Sequence, residues 1–131
     1  MLYTGVDLIE IARIERAVAR WGERFLLRIY TPAELGAYRA RIPSLAARWA
    51  AKEATAKLLG VGLRGLGGAA PPEGAVAWTE IEVLGDARGR PTLVLHGRAA
   101  AHAHILGLGS IAISLSHTRE HAIACAVAYS A

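Results

Sequence analysis

The stretch RWAAKEATAKLLG, residues 48–60, decides how the rest of the chain is interpreted. Ala and Leu fill most of it, and the glycine at its end is typical of the residue that follows a helix, so it predicts one helix. Its ionised side chains are unusual for a largely apolar helix: Arg48, Lys52, Glu53 and Lys57. Two alternatives explain them. Glu53 and Lys57, four residues apart, form a surface ion pair, or the helix holds a metal and a phosphorylated ligand.

The length, composition and charge of the chain limit the classes of protein to which it can belong. The chain has 131 residues, of which 53% are hydrophobic, and this predicts a single domain over residues 1–131 with its own core. The net charge of +4 suggests a polyanionic partner. We find no apolar run long enough for a membrane span and no signal peptide, so we expect a cytoplasmic protein. The single cysteine, Cys125, excludes a disulfide framework and is expected in the core.

The N-terminal part predicts a short strand followed by an amphipathic helix. Asp7 lies at the junction, with Glu10 three residues later, so it is either a helix cap or a metal ligand. Apolar residues then recur at spacings of three and four, which predicts one buried helix face. They are Ile11, Ile14, Val18, Trp21 and Phe25. Arginines recur at the same spacings on another face: Arg13, Arg16, Arg20 and Arg24.

The remaining pattern alternates between helices and strands. TPAE, residues 31–34, predicts a helix start with Thr31 as the N-cap, Pro32 at the first position and Glu34 at the third, as in a capping box. Ser44 is the candidate cap of the helix that contains residues 48–60. Residues 60–75 are rich in Gly and Pro and predict a loop. Two predicted hairpins, with a short Ala-rich helix between them, complete the chain. They are formed by residues 78–84 and 92–97, and by residues 110–118 and 122–130. This order predicts an α+β fold with a mostly antiparallel sheet packed against helices.

Few carboxylates lie among apolar residues, and this restricts the choice of a metal site. Asp7 and Glu53 are the obvious pair, because the other aspartate, Asp86, lies in a predicted turn. Mg²⁺ often takes one or two carboxylates, with phosphate and water completing its shell, and Lys57 and Arg48 could then bind the phosphates. The chain lacks the spacing of a zinc site, a P-loop or a Rossmann motif. His117, at the end of a predicted strand, is either a turn residue or part of a cleft.

Three motifs together resemble a known family. TGVDLIEIARI (residues 4–14), RWAAKEATAK (48–57) and ISLSHT (113–118) are similar to those of the holo-acyl-carrier-protein synthases, which are small bacterial 4′-phosphopantetheinyl transferases. The similarity runs from about Gly5 to about Val127. It implies the 4′-phosphopantetheinyl transferase fold, assembled as a homotrimer with active sites between subunits. It also implies transfer of phosphopantetheine from coenzyme A to a serine of apo acyl carrier protein, with adenosine 3′,5′-bisphosphate as the other product.

The resemblance also implies roles for individual residues. Asp7 and Glu53 match the Mg²⁺ ligands of the family, and Lys57 matches its lysine near the diphosphate. The positions that match nucleotide contacts are Gly60, Gly62, Arg90, Pro91, His117 and Thr118. Some members have an aspartate where this chain has Thr118, so that carboxylate cannot accept the serine proton here. The proton acceptor stays open among Glu53, His117 and a water.

The exposed positive charge expected on the N-terminal helix suggests an acidic protein partner. Acyl carrier proteins are acidic, so we expect the row formed by Arg13, Arg16, Arg20 and Arg24 to bind the carrier. One competing interpretation is a basic RNA-binding module, but the chain lacks a pattern of exposed stacking aromatics, and we expect no nucleic-acid partner. Another is a non-catalytic trimer of the same fold, against which the presence of Asp7, Glu53 and Lys57 argues.

Overall fold

The computed structural model describes residues 1–64 and 74–131. Five α-helices lie in these ranges: α1 Ile11–Trp21, α2 Glu23–Ile29, α3 Pro32–Tyr38, α4 Ile42–Leu59 and α5 Gly97–Ile105. Five strands accompany them: β1 Leu2–Glu10, β2 Ile81–Gly85, β3 Pro91–Leu95, β4 Ala112–His117 and β5 His121–Tyr129. The order along the chain confirms the predicted α+β class. No helix in the described ranges has the length and apolar character that crossing a bilayer requires.

The strands form two antiparallel sheets. The larger sheet has the order β1-β5-β4, and the smaller is the β2–β3 hairpin. In the larger sheet Asp7 is paired with Ala124, and Leu115 of β4 is paired with the same alanine on the other side. Both predicted hairpins are therefore present. The first is shorter than predicted, because residues 78–80 form a 3₁₀ turn before β2 begins.

Helix α4 is the centre of the molecule. It contacts all three strands of the larger sheet, strand β2, and helices α1, α3 and α5. Alanines of this helix, such as Ala50, Ala51 and Ala54, are fully buried, and their small side chains let neighbouring elements approach the helix closely. The stretch that we expected to form one helix therefore does so, and most of its surface is buried.

Several expected helix boundaries are confirmed and others are wrong. Thr31 and Glu34 form the predicted capping box, and Gly60 ends α4 in the left-handed region at φ 73°. Ser44 is not a cap, because α4 begins earlier, at Ile42. The long N-terminal helix is broken at Gly22, whose φ is 55°, so that α1 and α2 are separate helices.

Two further expectations are corrected by the larger sheet. Asp7 does not cap a helix, because β1 continues to Glu10 and α1 begins only at Ile11. Cys125 is exposed rather than in the core, since it lies on the face of β5 that is turned away from α4. Residues 65–73, the middle of the predicted Gly-rich loop, lie outside the described residues.

Candidate active site

A glycine brings β1 unusually close to α4. A Cβ atom on Gly5 would lie 1.9 Å from the carbonyl oxygen of Ala54 and 3.0 Å from the amide nitrogen of Leu58. Only a residue without a side chain allows this approach. Asp7 follows two positions later on the same face of β1, so the close packing sets its carboxylate beside the last turns of α4.

Asp7 and Lys57 form a direct contact between these two elements. The Lys57 ammonium group donates hydrogen bonds to the carbonyl oxygen of Val6 at 3.0 Å and to Oδ1 of Asp7 at 3.2 Å. The Asp7 side chain is 16% exposed and that of Lys57 is 55% exposed. The lysine therefore reaches from solvent onto a carboxylate that is mostly enclosed.

Glu53 lies one turn before Lys57 on α4 and completes the group. Burial raises the pKa of Glu53 above its ordinary value, and the nearby negative charge of Asp7 raises it further. The positive charges of Lys57 and Arg13 act in the opposite direction, but they do not cancel the rise. Two carboxylates thus lie close enough to repel each other, which is a situation that a bound cation relieves.

The donor set of this group fits a hard cation that also binds phosphate. Among residues 1–64 and 74–131, no group of three or more His, Cys, Asp or Glu side chains is arranged to hold a metal ion. Asp7 and Glu53 can supply two oxygen ligands. Mg²⁺ commonly binds in this way, because substrate phosphates and water complete its octahedral shell.

Arg48 does not join this group within one chain. It lies nine residues before Lys57, so the two side chains leave α4 in directions about 180° apart. Its guanidinium carbon lies 3.5 Å from the centre of the Tyr38 ring, and its Nε donates to the carbonyl oxygen of Val83 at 3.3 Å. Within one chain Arg48 and Lys57 therefore point away from each other, and the expected binding of phosphates by Arg48 stays a prediction.

The glycine and turn positions that match nucleotide contacts are separate from Asp7 in one chain. Gly62 is exposed, and its carbonyl oxygen accepts a hydrogen bond from the Val76 amide at 2.9 Å, which joins the two ends of the Gly-rich loop. Arg90 is exposed in the β2–β3 turn, where Oδ1 of Asp86 accepts a hydrogen bond from its amide at 2.9 Å. Pro91 begins β3. No described contact links these positions to Asp7, and their role as nucleotide contacts stays a prediction.

His117 and Thr118 are also separate from Asp7 in one chain. His117 is paired with Ala122 on β5, and Ala122 is paired with Ile9 on β1. Two strand spacings and two residues along the strand place the Cα atom of His117 about 12 Å from that of Asp7. Thr118 begins the β4–β5 turn, where its hydroxyl accepts hydrogen bonds from backbone amides. Both residues are exposed.

The predicted arginine row is exposed, but it crosses a helix boundary. Arg13, Arg16 and Arg20 lie on α1, whereas Arg24 lies on α2 beyond the break at Gly22. Arg13 is near enough to the carboxylates to influence the pKa of Glu53. The row therefore begins beside the Asp7–Glu53–Lys57 group and extends away from it.

The sequence reasoning missed a buried ion pair on the other side of α4. Lys52 and Glu34 have fully buried side chains, and Lys52 Nζ lies 2.8 Å from Oε1 of Glu34. Lys52 also donates to the carbonyl oxygens of Trp78 and Ile81, and Oε2 of Glu34 accepts from the Val83 amide. The signal in the sequence that could have indicated this pair was the position of Lys52 in an alanine-rich stretch, where a helix is expected to be buried. The TPAE pattern assigns Glu34 only to the capping box.

Comparisons with known proteins agree with this arrangement. The sequence model of the 4′-phosphopantetheinyl transferase superfamily matches residues 3–126. A holo-[acyl-carrier-protein] synthase of Herpetosiphon aurantiacus is 57% identical over 127 residues, which cover 97% of this chain and 98% of that protein. The corresponding synthase of Dehalococcoides mccartyi is 52% identical over 128 residues, covering 98% of each.

Solved structures give the same result. The Helicobacter pylori holo-[acyl-carrier-protein] synthase in complex with coenzyme A has a TM-score of 0.79 and 28% identity, covering 96% of this chain and 99% of that one. A synthase–coenzyme A complex from Chronobacterium ammoniagenes has a TM-score of 0.81 and 32% identity, covering 100% and 98%. The chain therefore belongs to the 4′-phosphopantetheinyl transferase superfamily and, within it, to the holo-[acyl-carrier-protein] synthases.

Proposed function

We propose that this chain transfers the 4′-phosphopantetheine arm of coenzyme A to a serine hydroxyl of apo acyl carrier protein, and that Mg²⁺ is required. The observation that carries the proposal is the convergence of Asp7, Glu53 and Lys57 from β1 and α4. Two carboxylates and an ammonium group are suited to a metal and a diphosphate. That two structural neighbours are complexes with coenzyme A supports the choice of donor.

The proposed reaction is a phosphoryl transfer. The serine oxygen forms a bond to the β-phosphorus of coenzyme A, and the bond from that phosphorus to the bridging oxygen breaks. Adenosine 3′,5′-bisphosphate leaves with the electron pair. Asp7 and Glu53 would hold Mg²⁺, which neutralises the diphosphate when bound, and Lys57 would bind a phosphate oxygen. The candidate acceptors for the serine proton are Glu53, a water and, where a second copy contributes it, His117.

Mass spectrometry of apo carrier protein after incubation with coenzyme A and Mg²⁺ tests the reaction. We expect the carrier to gain one phosphopantetheine unit with the wild-type chain and to gain none with Asp7→Ala or Glu53→Ala. Glu15→Ala, on the exposed face of α1, is the matched control and should remain active. If Asp7→Ala or Glu53→Ala stays fully active at low Mg²⁺, that residue does not bind the metal.

We also propose that the arginine row binds the acidic carrier protein. Exposed charge pairs contribute little affinity each but accelerate association. Arg16→Glu together with Arg20→Glu should raise KM for the carrier severalfold and leave KM for coenzyme A nearly unchanged. Arg13 is left intact in this variant because its charge acts on Glu53. Loss of coenzyme A affinity with an unchanged carrier KM would instead assign the row to the nucleotide.

Homotrimeric assembly is proposed on two observations. The face of the larger sheet turned away from α4 exposes a continuous set of apolar side chains, which are Leu2, Val6, Leu8, Ile123, Val127 and Tyr129. Exposed apolar surface of this kind is typical of subunit interfaces. In addition, His117 and Thr118 make no described contact with Asp7 in one chain, which supports a site that combines residues of two copies.

A further inference from the structure

Lys57 differs from the other lysine of α4 in how it is held. Lys52 is fully buried, and its ammonium group has three hydrogen-bond partners. It cannot leave its position without leaving the buried Glu34 carboxylate unpaired. Lys57 lies in the last turn of α4 with more than half of its side chain exposed, and its two partners both belong to β1. A flexible four-carbon side chain at such a place can exchange one oxygen partner for another.

The group that Lys57 contacts is one of the two proposed metal ligands. Its ammonium group occupies Oδ1 of Asp7, and its charge also acts on Glu53. A divalent cation bound by the same carboxylates would be repelled by this ammonium group, because both are positive and lie within a few ångströms of each other. The metal and the lysine therefore compete for one carboxylate.

Coenzyme A offers Lys57 a different anion. Its diphosphate would lie next to the metal, and an ammonium group that turns toward a phosphate oxygen vacates Asp7. We infer that Lys57 is an exchangeable counter-ion, which holds Asp7 in the free chain and moves to the diphosphate, so that divalent metal and coenzyme A strengthen each other's binding. This inference rests on the proposed function, since it requires the metal at Asp7 and Glu53.

Binding of Mn²⁺, followed by electron paramagnetic resonance, tests the inference without measuring turnover. In the wild-type chain, coenzyme A should strengthen Mn²⁺ binding by about fivefold or more, after correction for Mn²⁺ bound by coenzyme A alone. In Lys57→Met, which is close to lysine in length and removes its charge, the free chain should bind Mn²⁺ several times more tightly than wild type. Coenzyme A should then strengthen Mn²⁺ binding severalfold less than in wild type, because only the direct binding of the metal by phosphate oxygens remains. Lys57→Gln provides a second variant.

Arg13→Met is the matched control. Arg13 also acts on Glu53 through its charge, but the described contacts give it no hydrogen bond to Asp7. This variant should keep the dependence of Mn²⁺ binding on coenzyme A. If Arg13→Met and Lys57→Met have the same effects, general positive charge accounts for them and the exchange is wrong.

Two other outcomes separate this inference from the proposed function. If Asp7→Asn weakens Mn²⁺ binding but Lys57→Met leaves both the affinity of the free chain and the effect of coenzyme A unchanged, only the exchange is wrong. If Asp7→Asn does not alter Mn²⁺ binding with or without coenzyme A, the metal does not lie at Asp7, and the proposed site and the exchange are both overturned.

Discussion

Gly5 determines how closely the two site-bearing elements approach. The space for its Cβ atom is occupied by backbone atoms of Ala54 and Leu58, which cannot move without shifting α4 as a whole. The glycine of the G-V-D motif is thus a packing requirement, and the aspartate two positions later depends on it for its place beside Glu53 and Lys57.

Substitution of Gly5 should therefore cost stability. We expect Gly5→Ala to lower the free energy of unfolding by about 2–3 kcal/mol, because the added methyl group forces two backbones apart. Gly36→Ala is the control, since a Cβ there meets nothing within 4 Å and alanine favours the helix. Guanidinium denaturation at one protein concentration measures both. Equal midpoints for Gly5→Ala and wild type would contradict the steric argument.

The buried pair of Lys52 and Glu34 is a second feature decided by single residues. Both side chains are fully buried, and together they connect α3 and α4 with the backbone before and within β2. Removing one partner leaves the other charge without compensation in the interior. The charges of this stretch of α4 therefore have two separate roles, one structural and one proposed for catalysis.

A double-mutant cycle tests this division. Lys52→Met should destabilise the fold by about 3–5 kcal/mol, because Glu34 remains buried and charged. Adding Glu34→Gln should recover part of that loss, since the uncompensated charge is gone. The measurement is the free energy of unfolding of the four proteins. Strictly additive losses would show that the two side chains do not stabilise each other.

At the scale of elements, Glu82 joins the smaller sheet to α3 and to the start of α5. Its carboxylate accepts a hydrogen bond from the Thr31 hydroxyl and lies 3.1 Å from Nε2 of His96. The Thr31 hydrogen bond lowers the pKa of Glu82, and His96 adds to this effect, while partial burial opposes it. The ionised carboxylate is thus favoured in the folded chain.

A lowered pKa makes this junction sensitive to acid. The folded pKa of Glu82 is below its unfolded value, so the stabilisation is complete above the unfolded pKa and disappears as the pH falls through the folded one. The stability difference between wild type and Glu82→Gln should be largest near pH 7 and should shrink progressively below about pH 4.5. Urea unfolding across this range measures it, with Glu15→Gln as the control. A stability difference between wild type and Glu82→Gln that grows on acidification would contradict the lowered pKa of Glu82.

At the scale of the whole molecule, the exposed outer face of the larger sheet is the main feature that one chain does not explain. Alternate residues of β5 face α4 and are buried alanines, whereas the others, including Ile123 and Val127, are apolar and exposed. A surface that faces solvent rarely carries such a set of exposed apolar side chains unless a partner covers it. A second copy of the chain covers it in the proposed assembly.

Charged substitutions on this face should disrupt the assembly. Ile123→Glu together with Val127→Glu should yield a smaller species in sedimentation and little transfer activity. Val94→Glu is the control, because Val94 is 42% exposed, close to the 41% of Ile123, but lies on the smaller sheet. A wild-type monomer that turns over at full rate would contradict both the trimer and a site between subunits.

The sequence by itself determined the order and type of most elements, because periodicity and capping are local properties, but it did not separate α1 from α2. The capping box at Thr31, the end of α4 at Gly60 and both hairpins follow from neighbouring residues. The sequence also identified Asp7, Glu53 and Lys57 as belonging together, since the spacing of their motifs resembles one family.

Only the tertiary structure decided how each ionised side chain is used. Lys52 and Arg48 resemble Lys57 in the sequence, yet packing against β2 and α3 encloses the first two and leaves the third at the surface. The structure also shows that Asp7 lies in a strand rather than at a helix cap, and that Cys125 lies on an exposed face rather than in the core. Burial depends on which elements meet across the molecule, and a local pattern does not contain that information.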